Sequence, residues 1–242
     1  VRWTPLNRAH CPIYAENELA PALPKDAFKV VQAQTAGAVA GQLTSPDFHA
    51  GQALKRALGK FDEDMLIDAG MRIIVEDKEP YDRFRGRLML PIHDTRGRVI
   101  AFGGRILDSD ANPNAPKYLN SPDTPLFDKG RTLYNLHRAA PAARQSGRMI
   151  VVEGYMDAIA LANAGIDEAV APLGTALTEE QITHLWKLHD EPVLCFDGDA
   201  AGKRAQKRAL ERLLPLLQPG KSARLAMLPE GKDPDDLLQK EG

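Results

Sequence analysis

Three carboxylates stand where two apolar runs break off. In MIVVEGYMD (149–157) Glu153 follows the run Met149–Val152, and in VLCFDGDAAG (193–202) Asp197 and Asp199 follow Val193–Phe196. Such runs read as strands buried in a parallel sheet, and open α/β sheets bind ligands beyond the carboxyl ends of their strands. Acids gathered there repel one another unless a cation lies between them. A divalent ion with oxygen ligands, of the kind magnesium prefers, is the simplest remedy. The chemistry expected of such a centre is metal-dependent phosphoryl transfer.

Each acid also has a plainer use. Glu153 alone equally begins a βα loop, although Gly154 behind it allows close backbone approach and leaves room for a phosphate oxygen or a metal-bound water. Asp197 and Asp199, across Gly198, can point into one crevice, yet Asp199 also suits the N-cap of a helix starting at Ala200. Asp233 with Pro234 behind it is a good helix start, and Asp233-Pro234-Asp235-Asp236 follows a presumed fourth strand. Independent caps have no reason to collect at one sheet edge, so the three groups together favour a site.

The elements that must position them alternate. Strands are expected at Met149–Val152, Glu168–Ala171, Val193–Phe196 and Ala223–Leu228, and helices at Tyr155–Ala164, after the capping box Thr178–Gln181, and at Ala200–Leu214. The last of these turns Ala205, Leu210, Leu213 and Leu214 inward and Lys203, Arg204, Lys207 and Arg208 outward. The middle differs: Arg87–Ile92 and Arg98–Phe102 read as a hairpin around Asp94–Gly97, residues 108–125 as an irregular loop, and Asp62–Ala69 as a short helix closed by Gly70. A further helix candidate lies near Lys25–Val39. Arg83, Arg85 and Arg87 alternate, so a strand there places all three on one face as a phosphate-gripping strip or as the protective charges of an edge strand.

Of the 242 residues, 43% are hydrophobic and 26% charged, the balance of an ordinary globular protein. No apolar run is long enough for a membrane helix, which with the two cysteines, Cys11 and Cys195, points to a reducing cytoplasm without disulfides. The opening Val1 reads as a fragment or processed product. The net charge of −2 hides a division: −3 over 1–82, +7 over 83–148 and −6 over 149–242. A basic middle beside an acidic end suits a polyanion track next to a metal cluster, although uneven surface charge is also common.

A Glu ending one strand (VVEGYMD) and a DxD pair ending a later one (FDGD) resemble the Toprim domain, the metal-binding fold of bacterial primases, topoisomerases and some nucleases. YDRFRGRLMLPIHDTRGRVIAFGGR (81–105), PKYLNSPDTPLFDKGRTLYNL (116–136), GKDPDD (231–236), LIDAGM (66–71) and PLGTALT (172–178) are similar to the catalytic core of bacterial DNA primases, in order over 62–242. The resemblance implies an α/β fold: a Toprim-type parallel sheet flanked by helices, with a smaller mixed α+β subdomain before it. It divides the chain into a divergent segment 1–61, a basic nucleic-acid and nucleotide-binding subdomain 62–147, and a Toprim domain with the start of a helical region at 148–242.

By the same resemblance Glu153 is the catalytic acid, Asp197 and Asp199 bind two or more Mg²⁺ or Mn²⁺ ions, and Asp233 with Asp235 completes the cluster. Lys117, Asn120 and Lys129, with Gly154, would serve the nucleotide; Arg83, Arg85, Arg87, Arg105 and Arg131 would hold nucleic acid. The implied reaction is RNA primer synthesis from ribonucleoside triphosphates on single-stranded DNA. The ligands of the family's upstream zinc module are absent, so no zinc is expected, as is the downstream domain that meets the replicative helicase. Residues 1–46 lack the signature that opens the family's core. The rivals are a Toprim nuclease or topoisomerase fragment, for which Tyr155 sits too near the acids to be an obvious nucleophile; a DxD phosphatase acting through Asp197; and an inactive module that binds single-stranded DNA.

Overall fold

The computed structural model describes residues 59–76, 78–107, 115–174 and 176–241, with side chains to Leu238. The helix expected near Lys25–Val39, Cys11, the rest of 1–58 and residues 108–114 of the expected loop lie outside the described residues. These divide by contact into two units, one holding 59–92 and 98–127, the other 93–97 and 128–241.

In the first unit, helix α1 (Glu63–Asp68) is followed by Gly70 at φ +69°, where an added Cβ would lie 2.4 Å from Pro122 Cδ. Strands β1 (Arg72–Val75) and β2 (Lys78–Asp82) then pair antiparallel. The polar, proline-bearing run KEPYD gives no strand signal of its own. What holds it is the buried guanidinium of Arg72, whose Nη1 is 2.9 Å from Asp82 Oδ1 and whose Nε is 3.0 Å from Glu63. A second sheet has the order β3 (Arg87–His93), β4 (Val99–Ile106), β5 (Tyr118–Asn120). Its core joins Met89, Val99 and Phe102 to Leu66 and Met71.

The alternating arginine face does not form. β3 begins only at Arg87, because Gly86 at φ +60° breaks the extended backbone before it. Arg87 is buried and its Nη1 donates to Gly104 O (3.2 Å) and Lys117 O (3.5 Å). Arg83 Nε donates to Asn120 O at 3.1 Å, while the exposed Arg85 lies 4.3 Å over the Tyr81 ring.

The second unit contains α2 (Leu136–Ser146), β6 (Ile150–Val151), α3 (Tyr155–Asn163), β7 (Ala169–Val170), α4 (Glu179–Trp186), β8 (Val193–Phe196), α5 (Ala200–Leu213), β9 (Arg224–Met227) and α6 (Pro234–Glu241). Its four strands are all parallel in the order β7-β6-β8-β9. Thr178 caps α4 as expected, accepting from Gln181 N while the Gln181 side chain returns to Thr178 N. Val151, Val170, Leu194 and Phe196 from the sheet pack with Leu177, Ile182, Leu185, Trp186, Ala209 and Leu213 from its surroundings. Leu214, expected inside, is 60% exposed: α5 ends at Leu213 and the 3₁₀ turn Leu214–Leu216 around Pro215 loses the helical register.

Candidate active site

Strand order decides what the acids can do. From β6 the chain passes through α3 to β7 on one side, then crosses back through α4 to β8 on the other. β6 and β8 are hydrogen-bonded neighbours whose following loops leave in opposite directions. This is the switch point at which α/β sheets open a crevice. Glu153 follows β6 there, and Asp197 with Asp199 follows β8.

Glycines let the backbones close up around these acids. A Cβ on Gly198 would lie 1.9 Å from Pro229 O, and one on Gly202 would lie 2.1 Å from Asp197 O, so neither position tolerates a side chain. Gly198 N–H also donates to Lys232 O at 2.8 Å, tying the β8 loop to the segment after β9. The plainer readings of two aspartates prove true as well. Asp199 Oδ1 accepts from Gly202 N at 2.7 Å, and Asp233 Oδ1 from Asp236 N at 2.7 Å, so both cap helices. Capping employs one oxygen of each carboxylate and fixes its orientation.

The electrostatics show that the acids feel one another. Burial, then the charges of Asp157, Glu153, Asp233 and Asp199, push the Asp197 carboxyl up to about 7. Burial and Asp199 raise Glu153, against a backbone hydrogen bond from Asp197 and the charge of Arg208. Glu153 Oε2 and Asp197 Oδ1 are buried without a hydrogen-bond partner. Buried carboxylate oxygens without donors are costly, and they suit a hard cation that takes oxygen ligands. Among the described residues, no three His, Cys, Asp or Glu side chains form a finished metal-ligand group. The acids are thus coupled across the crevice rather than drawn to a single point.

Asp157 joins them. Its carboxylate accepts from Gly154 N at 3.0 Å and is pushed up to about 6, first by burial and then, against that bond, by Asp233, Glu153 and Asp235. The sequence reading passed over it, although it stands one helical turn after Glu153 inside the same nine-residue motif. Cys195, raised to about 11 by burial and by the charges of Asp157 and Asp197, is an inert thiol.

The remaining expected residues fall elsewhere. Arg131 belongs to the second unit, where its Nε and Nη2 grip both oxygens of Glu180 at 2.9 Å. Lys129 offers its carbonyl to Gln181 Nε2 at 3.0 Å. In the first unit the exposed Lys117 and Tyr118 stand together, with Lys117 Nζ 5.7 Å and Arg105 5.9 Å from the Tyr118 ring, and Asn120 pairs with Gly103 across β4 and β5.

Acids at the carboxyl ends of adjacent parallel strands, with glycines that let the loops touch, define a Toprim-type domain, and residues 150–238 match the family described as Toprim-like. Residues 46–140 match the DNA primase catalytic core, N-terminal domain. A DNA primase of Pseudomonas aeruginosa is 54% identical over 178 residues, 73% of this chain and 26% of the relative. The chain thus spans about a quarter of that protein's length. A solved DNA primase domain from Pseudomonas aeruginosa superposes with a TM-score of 0.72 at 43% identity, covering 88% of this chain and 75% of that one. A DnaG primase catalytic domain solved bound to ssDNA gives a TM-score of 0.70 at 42% identity, covering 88% and 69%. The chain belongs to the DNA primase family and corresponds to its catalytic core.

Proposed function

We propose that this chain condenses ribonucleoside triphosphates on a single-stranded DNA template into short RNA primers. The observation that carries the reading is the set of coupled carboxylates at the β6/β8 switch point, with Glu153 Oε2 and Asp197 Oδ1 buried and lacking donors. Glu153, Asp197 and Asp199, bordered by Asp233 and Asp235, would hold Mg²⁺ or Mn²⁺, two or more ions. These neutralise the transferring phosphoryl group and activate the attacking hydroxyl when bound.

The chain's own groups do the rest. The proton affinity of Glu153, raised by burial and by Asp199, suits a group that takes the proton of the primer 3′-hydroxyl. Asp199 and Asp233 are held by their capping bonds, so little side-chain freedom is lost when a ligand arrives. Gly154, the residue before α3, would meet the nucleotide through its backbone, beside the Asp157 carboxylate that its N–H already holds. Lys117, Asn120 and Lys129 serve the nucleotide, and Arg83, Arg85, Arg105 and Arg131 the nucleic acid. Arg87, at the start of β3, is engaged inside the fold by the carbonyls of Gly104 in β4 and of Lys117 just before β5. Positioning and electrostatics supply the acceleration in phosphoryl transfer.

The same reading assigns nucleic-acid and nucleotide binding to residues 62–147 and the chemistry to 148–242. It sets the protein in the bacterial cytoplasm at the replication fork, with the helicase engaged through a domain outside this chain. No helix among the described residues is long and apolar enough to cross a membrane.

The test supplies single-stranded DNA, labelled ribonucleotides and Mg²⁺ or Mn²⁺, with and without a preformed primer. Metal-dependent RNA products from the native chain, lost in Glu153→Gln and Asp197→Asn, are expected. Nicked DNA would instead identify a nuclease, released phosphate a DxD phosphatase. Strand binding without incorporation, even from a supplied primer, would leave a binding module.

A further inference from the structure

Helix α5 carries a charge pattern that capping and packing do not explain. Lys203, Arg204, Lys207 and Arg208 occupy its first three turns, all exposed, at the i, i+1, i+4 and i+5 spacing that forms one face. Like charges four apart destabilise a helix, and Lys203, in the first turn, also opposes the helix dipole. The one acid at this end of α5 is the cap Asp199; the first turn itself contains none. Among the described residues Lys203 and Arg204 form no ion pair, and Lys207 has only Glu211, at 3.8 Å. Arg212, further along, is engaged instead, donating from Nη1 to Ala176 O and Leu177 O.

The location is informative. α5 starts at its cap Asp199, itself one of the crevice acids that follow β8. The basic face therefore begins at the acid crevice and runs away from it along the helix. A 14-residue helix at 1.5 Å per residue is about 21 Å long, the reach of several successive phosphates.

We propose that the face formed by Lys203, Arg204 and Lys207 is a second nucleic-acid contact, gripping the phosphate backbone of the strand whose end lies at the crevice. This contact lies on the same unit as the acids and uses cations outside the basic middle segment. It rests on the primase reading for the identity of the strand. The repulsion along the helix is relieved by phosphates, which makes the contact electrostatic, indifferent to base sequence and sensitive to salt.

The test measures binding of a labelled oligothymidylate to the full chain in EDTA across a salt series. The variants are Lys203→Gln/Arg204→Gln/Lys207→Gln, a control lacking three exposed cations elsewhere on the same unit (Arg144→Gln/Lys187→Gln/Arg224→Gln), and Lys203→Arg/Lys207→Arg. Folding is checked for each by circular dichroism. The α5 triple variant is expected to bind about tenfold or more weakly at low salt, with the log–log salt slope smaller by about 2, at about 0.7 per lost phosphate contact. The arginine variant should bind as the native chain does. Equal slopes for the native chain and the triple variant, or an equal loss in the control, overturn the contact while leaving the primase reading intact. Loss of inorganic triphosphate binding with strand binding retained also overturns it, since the face would then serve a free nucleotide. A native chain that binds no strand at all removes both readings.

Discussion

The two units differ in where their strongest charge pairs and their least satisfied charges lie. In the first, cations are engaged by their own surroundings: Arg72 is buried between Asp82 and Glu63, Arg87 is bonded to two carbonyls, and Arg83 donates to Asn120 O. In the second, carboxylates at the sheet switch point are raised by burial and by each other, and α5 displays a row of exposed cations. A charge with partners holds the fold; one left without them is available to a ligand. The basic middle segment therefore overstates its capacity for nucleic acid if its arginines are merely counted.

Substitution should separate the two kinds of charge. The largest effect is expected from Glu153→Gln, a loss of at least about 100-fold in ribonucleotide incorporation measured with primer supplied. The same variant should melt no lower than the native metal-free chain, because it removes a half-buried, repelled charge. A fall in melting temperature as large as that of a core substitution would show the acid to be structural.

In the first unit, Asp82→Ala should behave conversely. It takes one of two carboxylates from the buried Arg72 guanidinium, which keeps Glu63, so about 3–5 kcal/mol, the cost of breaking a buried pair, is the upper end of the expected loss, read by urea unfolding. A change below about 1 kcal/mol would place that pair among ordinary surface contacts and weaken the contrast.

His93, at the start of the 93–97 tip that belongs with the second unit, gives a pH signature. Burial first, then the charge of His137 (ring centroids 4.4 Å apart), lowers it to about 4, against the pull of Asp94 and with a further push from Arg138. A histidine depressed in the folded state stabilises fully above its unfolded value near 6.5. That contribution is lost as pH falls toward 4. Stability should drop by up to about 3 kcal/mol over that window, and His93→Gln should flatten most of the drop. A profile unchanged by the substitution would refute the assignment.

Divalent ions should sharpen the contrast from the other side. Mg²⁺ must displace protons from Asp197 and Asp157, raised to about 7 and about 6. Its stabilisation, about 2.7 kcal/mol at a hundredfold excess over Kd, should therefore be larger at pH 8 than at pH 6 by thermal melting. An Asp197→Asn chain should gain less. The smallest effect is expected at the α4 cap: Thr178→Ala loses the bond accepted from Gln181 N and the one donated to Gly130 O, about 1–2 kcal/mol, without altering incorporation.

Local chemistry made much of the second unit legible. The capping box at Thr178, the helix starts at Asp199 and Asp233 and the apolar runs before Glu153 and Asp197 all stand where the residues put them, within a residue or two. β1 and β2 were not legible, because KEPYD has no strand pattern and is held by the distant Arg72. The arginine strip failed at Gly86, whose positive φ interrupts the alternation. β9 stands at Arg224–Met227, inside the expected Ala223–Leu228, but that it is the sheet's edge, with Met227 70% exposed, was decided by strand order.

What the chain's order of residues determined alone was the punctuation: which runs are strands and where each ends in a carboxylate. Those are properties of neighbours a few bonds apart. Only the tertiary structure decided that β6 lies beside β8 with β7 beyond it, which brings Glu153 within the electrostatic reach of Asp199 and draws Asp157 into the same group. Strand order and the desolvation of charge are collective, set by what packs around a residue rather than by its sequence neighbours.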